Sequence, residues 1–430
     1  MANRRKSTIT ILSQFVRLAA PAMLATVLSA LALSLFLQFA AAAPTAPVVE
    51  DVESITKRFS GSDFQELSVG ELRVHVADRV SDCVTLGHMF SESEIPFGNR
   101  RQLGSDPISS QCNQLSWTVQ STENFNWESY ARFWHGSSAI LLLAGQFVPL
   151  EVFALLIGSC TVGLAILLSY RLLVLSPKLA IPIVITIFLG TDFLFGGFSY
   201  SQGLSVATMM LALIVLAFSN PLLPSRVAFI SSLAGLAYSF LAQLFYPMAF
   251  ALLFHMVVGT TRFRQPNEEK TQGFPGAFPS GTLALGFWIF GYGFGMLSRF
   301  VDIAIRTSPS VAIAELQSSS ENKESFHLGP VLRAGYHHLL GSLPQYSFRW
   351  LALIALTFAL GYYIARLDRL ILRIALPLVV ASLLPVGLWV LVFSEHNIHG
   401  WVANVTLMTA CFIVWLFANT SRNKAEIVRM

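Results

Sequence analysis

From Leu18 to Val49 the chain carries no charged side chain, and apolar runs of this kind recur along its length. Crossing the hydrocarbon core of a bilayer as a helix takes about 20 apolar residues. A chain that repeats such runs has few other places to put them. The spans read as 19–42, 150–171, 179–197, 203–219, 226–243, 245–260, 279–299, 348–366, 373–393 and 401–418. The two around Tyr246-Pro247 are short, and stand either as separate spans or as one broken hairpin. Of the 430 residues, 54% are hydrophobic and 12% charged, against about 25% charged in soluble domains. The mean hydropathy is +0.61. The net charge of +4 is small, and no basic stripe of the kind nucleic acid requires is present. No solenoid repeat or heptad pattern interrupts the series. The expected fold is therefore an all-α polytopic membrane protein with about ten transmembrane helices in one domain, 1–430.

Lysine and arginine in the short loops set the orientation. Arg4, Arg5 and Lys6 precede the first run; Arg171 and Lys178 follow the second, and Arg226 the fourth. Arg262, Arg264 and Lys270 follow the sixth, Arg366, Arg369 and Arg373 the eighth, and Arg422 and Lys424 the last. The ten spans put all of them on one side, so both termini are expected in the cytoplasm. The first run, followed by small residues at 40–44, exceeds the 7–15 apolar residues of a signal peptide's core and reads as a retained anchor.

Two long segments then fall outside the membrane, 43–149 and 300–347. The first holds Cys83 and Cys112, which read as a disulfide in an oxidising compartment or as two thiols. Cys160 and Cys411 fall within apolar runs, where packing is the simplest role, as it is for Met209 and Met210. The apolar segment 138–149 is too short to span and suits an interfacial helix. It is preceded by YARFWHG (130–136), whose Phe133 and Trp134 suit a membrane surface. Arg132 and His135 in that stretch either anchor the protein there or bind a phosphate, for which the planar fork of arginine is well shaped. Asp192, Tyr292, Arg299, His396 and His399 also map to the external ends of spans. Ionisable groups at such places are functional candidates, although Asp192 serves equally as a helix cap and Arg299 as a snorkelling cation. Gly295 and its neighbours allow close helix packing.

The segments RVSDCVTLG, YARFWHG, WIFGYGFGMLSRF and LLPVGLWVLVFSEHNIHGW, in that order, resemble the GT-C superfamily of membrane glycosyltransferases. Within it they are most similar to bacterial enzymes using polyprenyl-phosphate arabinofuranose, including those that glycosylate pilins. One departure is YSFLAQLFYP, where such relatives carry an acidic residue. The resemblance implies a polyprenyl-phosphate-linked sugar as donor, a cell-envelope glycan or protein as acceptor, and a site facing the periplasm or exterior of a bacterial inner membrane. It also implies a carboxylate base: Asp82 first, then Asp51, then Glu50. Arg132, His135, Asp192, Tyr292, Arg299, His396 and His399 would line the substrate site. No cofactor motif is read from the sequence; a divalent ion held by loop carboxylates stays open. The rival reading is a lipid or sugar transporter or flippase, which would place polar groups at the midplane on broken helices.

Overall fold

The computed structural model describes residues 2–59, 64–69, 72–90, 95–101, 112, 115, 127–129, 131, 133–190, 197–219, 223–242, 247–262, 277–321 and 408–418. The expected spans 348–366 and 373–393 lie outside these residues. Helix α1 (Ala2–Ala41) leads into α2 (Ala46–Phe59) and a hairpin of β1 (Phe64–Val69) with β2 (Leu72–Asp78). Then come α3 (Arg79–Gly87), a 3-10 turn (His88–Phe90), and the antiparallel pair β3 (Asn99–Arg101) and β4 (Trp127–Ser129). Among the described residues these two small ladders are the only β-structure; the rest of the architecture is helical. It continues with α4 (Gly136–Ala144), α5 (Leu150–Leu175), α6 (Pro177–Ile185) and a π turn (Thr186–Gly190). It closes with α7 (Gly203–Phe218), α8 (Pro224–Leu241), α9 (Pro247–Arg262), α10 (Ala277–Arg306), α11 (Pro309–Glu321) and α12 (Met408–Ala418).

Among the described residues, three helices are long and apolar enough to cross a membrane: Ala19–Ala41, Leu150–Leu175 and Ser280–Arg306. Shorter apolar helices cover Pro177–Phe188, Gly203–Phe218, Ala249–Thr261 and Met408–Ala418. This is a membrane protein by its exposed face as well. On α1, Leu24, Leu28, Leu31 and Leu35 are each more than half exposed and recur at helical spacing. Such an apolar stripe is costly against water and natural against lipid.

Contacts between helix ends show which helices run the same way. Arg171, near the end of α5, donates from Nε to the carbonyl of Ala217 (3.2 Å) at the end of α7, and its guanidinium lies over the Phe218 ring. Trp415 in α12 donates from Nε1 to Thr260 Oγ1 (2.9 Å) near the end of α9, so those two run the same way. The opposite ends of the bundle gather under the segment that follows α1. We call that the loop end.

Close approach of α8 and α10 follows from glycine. A Cβ at Gly235 would meet the Trp288 carbonyl, one at Gly291 the Ser232 carbonyl, and one at Gly295 the Ser239 hydroxyl. Glycine on both helices thus lets the backbones meet directly. Thr26 and Ser232 share a buried hydroxyl–hydroxyl hydrogen bond of 2.5 Å that ties α1 to the same pair. Met209 and Met210 are buried in the bundle core, as expected. Cys411 is buried too, whereas Cys160 is exposed on α5.

A second core forms at the loop end. Val48, Val52 and Ile55 on one face of α2 join Cys83 and Leu86 of α3, Leu141 and Leu142 of α4, Tyr200, and Phe240 and Leu241 at the end of α8. Cys83 and Cys112 are disulfide-bonded across a separation of 29 residues, which constrains the unfolded chain by about 3.5 kcal/mol in the entropy model.

Candidate functional site

The loop layer is fastened to the bundle by groups that complete helix ends, where backbone N–H and C=O have no partner within the helix. Asp51 Oδ2 accepts from the Leu150 N–H (2.8 Å) at the first residue of α5, a capping carboxylate at a helix N-terminus. In the next turns Arg58 pairs with Glu151. Ser137 donates to the carbonyl of Leu241 (2.6 Å), the last residue of α8. Ser138 donates to the Thr85 carbonyl (2.8 Å), binding α4 to α3.

Asp82 sits in another enclosed seam, between α3 and the turn before α7. It is 2% exposed. Its Oδ1 accepts from Ser199 Oγ (2.5 Å), from the Ser201 N–H (3.0 Å) and from Ser201 Oγ (3.0 Å), in the turn that starts α7. Burying a carboxylate without such donors is costly, so the serines account for how the layer tolerates it. Of the three carboxylates expected as base, Asp82 is buried and held by hydroxyls, Asp51 caps α5, and Glu50 is exposed on α2.

His135 lies at the other end of the α3–turn segment. Its ring stacks on His88, with centroids 3.8 Å apart and planes tilted by 31°. Both imidazoles are buried, at 3% and 1% exposure. The His135 backbone is left-handed (φ 53°, ψ 34°) at the N-cap of α4, a region that costs a non-glycine residue on the order of 1 kcal/mol or more. Gly136 follows because the Phe240 ring packs where its Cβ would be.

Phe133 and Trp134, expected at the membrane surface, are instead buried at 4% and 1% exposure. The Trp134 indole donates from Nε1 to the Gly295 carbonyl (2.7 Å) on α10. Segment 138–149 forms α4 only over Gly136–Ala144, and α4 packs on α1, α3 and α8 through Ser137, Ala139, Leu141 and Leu142. Phe147, in the loop that follows, is 87% exposed.

Arg299, expected to face a phosphate or snorkel, is 0% exposed and fully engaged. Nε donates to the Ala131 carbonyl (2.8 Å), Nη1 to Asp302 Oδ2 (3.0 Å) and Nη2 to the Pro96 carbonyl (3.4 Å), with the guanidinium 5.2 Å above the Trp134 ring. Asp302 also accepts from Ser34 Oγ (2.5 Å) on α1 and from Arg306 Nε (2.9 Å). Arg299 therefore clamps the backbone of the loop that leads to His135. Tyr292, seven residues earlier on the same face, stacks on Trp288 (5.5 Å, 9°) beside Tyr238 inside the bundle.

The structure brings Asp82, in α3, and His135, against His88 in the turn after it, into one layer, with Arg299 supporting the second; Tyr292 belongs to the bundle core. Arg132, Asp192, His396 and His399 lie outside the described residues. Ser199, Ser201 and His88 were missed from the sequence. Serines carry no readable spacing, and the Ser–Asp82 contact spans more than a hundred residues of chain. The Arg299 pairing did have a signal, since RFVDIAIR places Asp302 and Arg306 at i+3 and i+7. Among the described residues no three His, Cys, Asp or Glu side chains converge as ion ligands would. No family model, curated protein or solved structure matches the chain.

Proposed function

We propose that the protein is a membrane glycosyltransferase. It moves a sugar, with arabinofuranose the choice the sequence resemblance favours, from a polyprenyl phosphate to an envelope glycan or protein. The reading places the loop end at the periplasmic or exterior face of a bacterial inner membrane, with both termini cytoplasmic. The observation that carries it is the buried Asp82 carboxylate, fixed by three donors in the loop layer and sitting in RVSDCVTLG, one of the segments that bear the resemblance.

In this scheme the prenyl tail lies among the helices and the donor phosphate meets the loop layer. Asp82 takes the acceptor hydroxyl proton. The acceptor oxygen bonds to the anomeric carbon as that carbon's bond to the phosphate oxygen breaks, and polyprenyl phosphate departs with the bonding pair. His135, with Arg132 beside it in sequence, hydrogen-bonds the departing phosphate. Arg299 acts on the backbone of that stretch and not on the lipid.

The test is transfer by the purified full-length chain from a radiolabelled panel of polyprenyl-phosphate sugars to envelope extract, run beside the same protein in vesicles. Labelled acceptor is the expected result. No transfer from any donor, with labelled lipid crossing the vesicle bilayer instead, would replace the enzyme with a flippase.

A further inference from the structure

Ser199 and Ser201 do more than accommodate a buried charge. Ser199 Oγ accepts from the N–H groups of Ser201 and Gln202, each at 3.3 Å. Its single proton is therefore directed at Asp82 Oδ1, 2.5 Å away. Ser201 brings both its N–H and its hydroxyl to the same oxygen, and its Oγ lies 2.9 Å from that of Ser199. A carboxylate oxygen with three convergent donors cannot rotate without breaking all of them, so the plane of the carboxylate is set by this turn. The turn is held from behind. Tyr200, between the two serines, is buried in the loop-end core, with its ring 6.5 Å from that of Phe59 on α2. It runs directly into α7, whose first residue is Gly203.

We infer that Ser199 and Ser201 are positioning residues for the general base. They hold Oδ1, and with it the orientation of the carboxylate that takes the acceptor proton. This rests on the glycosyltransferase reading. Orientation of a catalytic group enters the rate of the chemical step more than substrate affinity, and displacements of about 1 Å can cost about a hundredfold.

The experiment measures steady-state transfer by the full-length protein from whichever polyprenyl-phosphate sugar the wild type uses. Ser199→Ala, Ser201→Ala, Ser199→Thr, Asp82→Asn and Asp82→Asn/Ser201→Ala are compared, and each variant is checked by melting and monodispersity. Ser199→Ala and Ser201→Ala are expected to lose about tenfold or more in kcat, with KM for the donor within about twofold. Ser199→Thr, at a half-buried position that keeps the hydroxyl, restores the rate. Adding Ser201→Ala to Asp82→Asn costs nothing further, because the serine acts only through the carboxylate. Folded alanine variants at the wild-type rate, a loss confined to KM, or a serine effect undiminished in the Asp82→Asn background would each overturn the inference while leaving the enzyme intact. A wild type that transfers nothing would remove the glycosyltransferase reading itself, a different and separable result.

Discussion

Asp302→Asn should destabilise the protein, and a second substitution at Arg299 should partly repair it. The asparagine is isosteric and its amide oxygen can still accept from Ser34 or a guanidinium. What it removes is the negative charge that compensates Arg299, which is 0% exposed, with Arg306 close by. Removing one partner of a buried ion pair costs about 3–5 kcal/mol, because a buried charge is left uncompensated. The lower end applies here, since the Ala131 and Pro96 carbonyls still receive the guanidinium and the Glu315 carboxylate adds a weaker attraction. At roughly 2 °C per kcal/mol for a chain of this size, the midpoint should fall by about 6 °C. In Asp302→Asn/Arg299→Met the stranded charge is gone, so the double variant should melt above the single one despite losing the Ala131 hydrogen bond. The assay is thermal unfolding of detergent-solubilised protein followed by tryptophan fluorescence. An Asp302→Asn midpoint within about 2 °C of wild type, or a double variant below the single, would refute the reasoning.

Three further outcomes follow from the same geometry. Cys83→Ala/Cys112→Ala should lose about 3.5 kcal/mol, and the wild type alone should shift mobility on a gel when reduced. Gly291→Ala should cost about 1–3 kcal/mol in the same melting assay, because its Cβ would meet the Ser232 backbone carbonyl, which cannot turn aside; Gly293→Ala, with open space around it, should not. Asp51→Ala removes the cap on α5 and should lower stability by about 1 kcal/mol while leaving transfer in place, whereas an Asp51 base would lose transfer at unchanged stability.

The helical membrane architecture was legible because apolar length is a one-dimensional signal, and the disulfide because two cysteines fall in one long polar segment. Asp82 stood out as a candidate base through its neighbour Cys83 and its place in a segment that carries the family resemblance. Its fixation was not legible, since nothing at Ser199 or Ser201 in the sequence points toward position 82. The aromatics of YARFWHG misled for a physical reason. A tryptophan beside an apolar run suits a bilayer surface, but a protein acceptor for its N–H lets it be buried instead, and the Gly295 carbonyl provides one. Helix α2 was readable from Val48, Val52 and Ile55 at helical spacing, a signal overshadowed by the adjacent carboxylates Glu50 and Asp51. The left-handed His135 had only the following glycine to announce it.

Asp82→Asn separates the two roles open to that residue, because the amide oxygen can keep all three hydrogen bonds from Ser199 and Ser201 while the base is removed. The most direct measurement of the account is transfer by this variant beside wild type, with melting recorded on the same samples. The expected result is a midpoint within a few degrees of wild type and transfer reduced at least about a hundredfold. A folded Asp82→Asn protein that transfers at the wild-type rate would leave Asp82 as the tie between the loop layer and α7, and would contradict its assignment as the base.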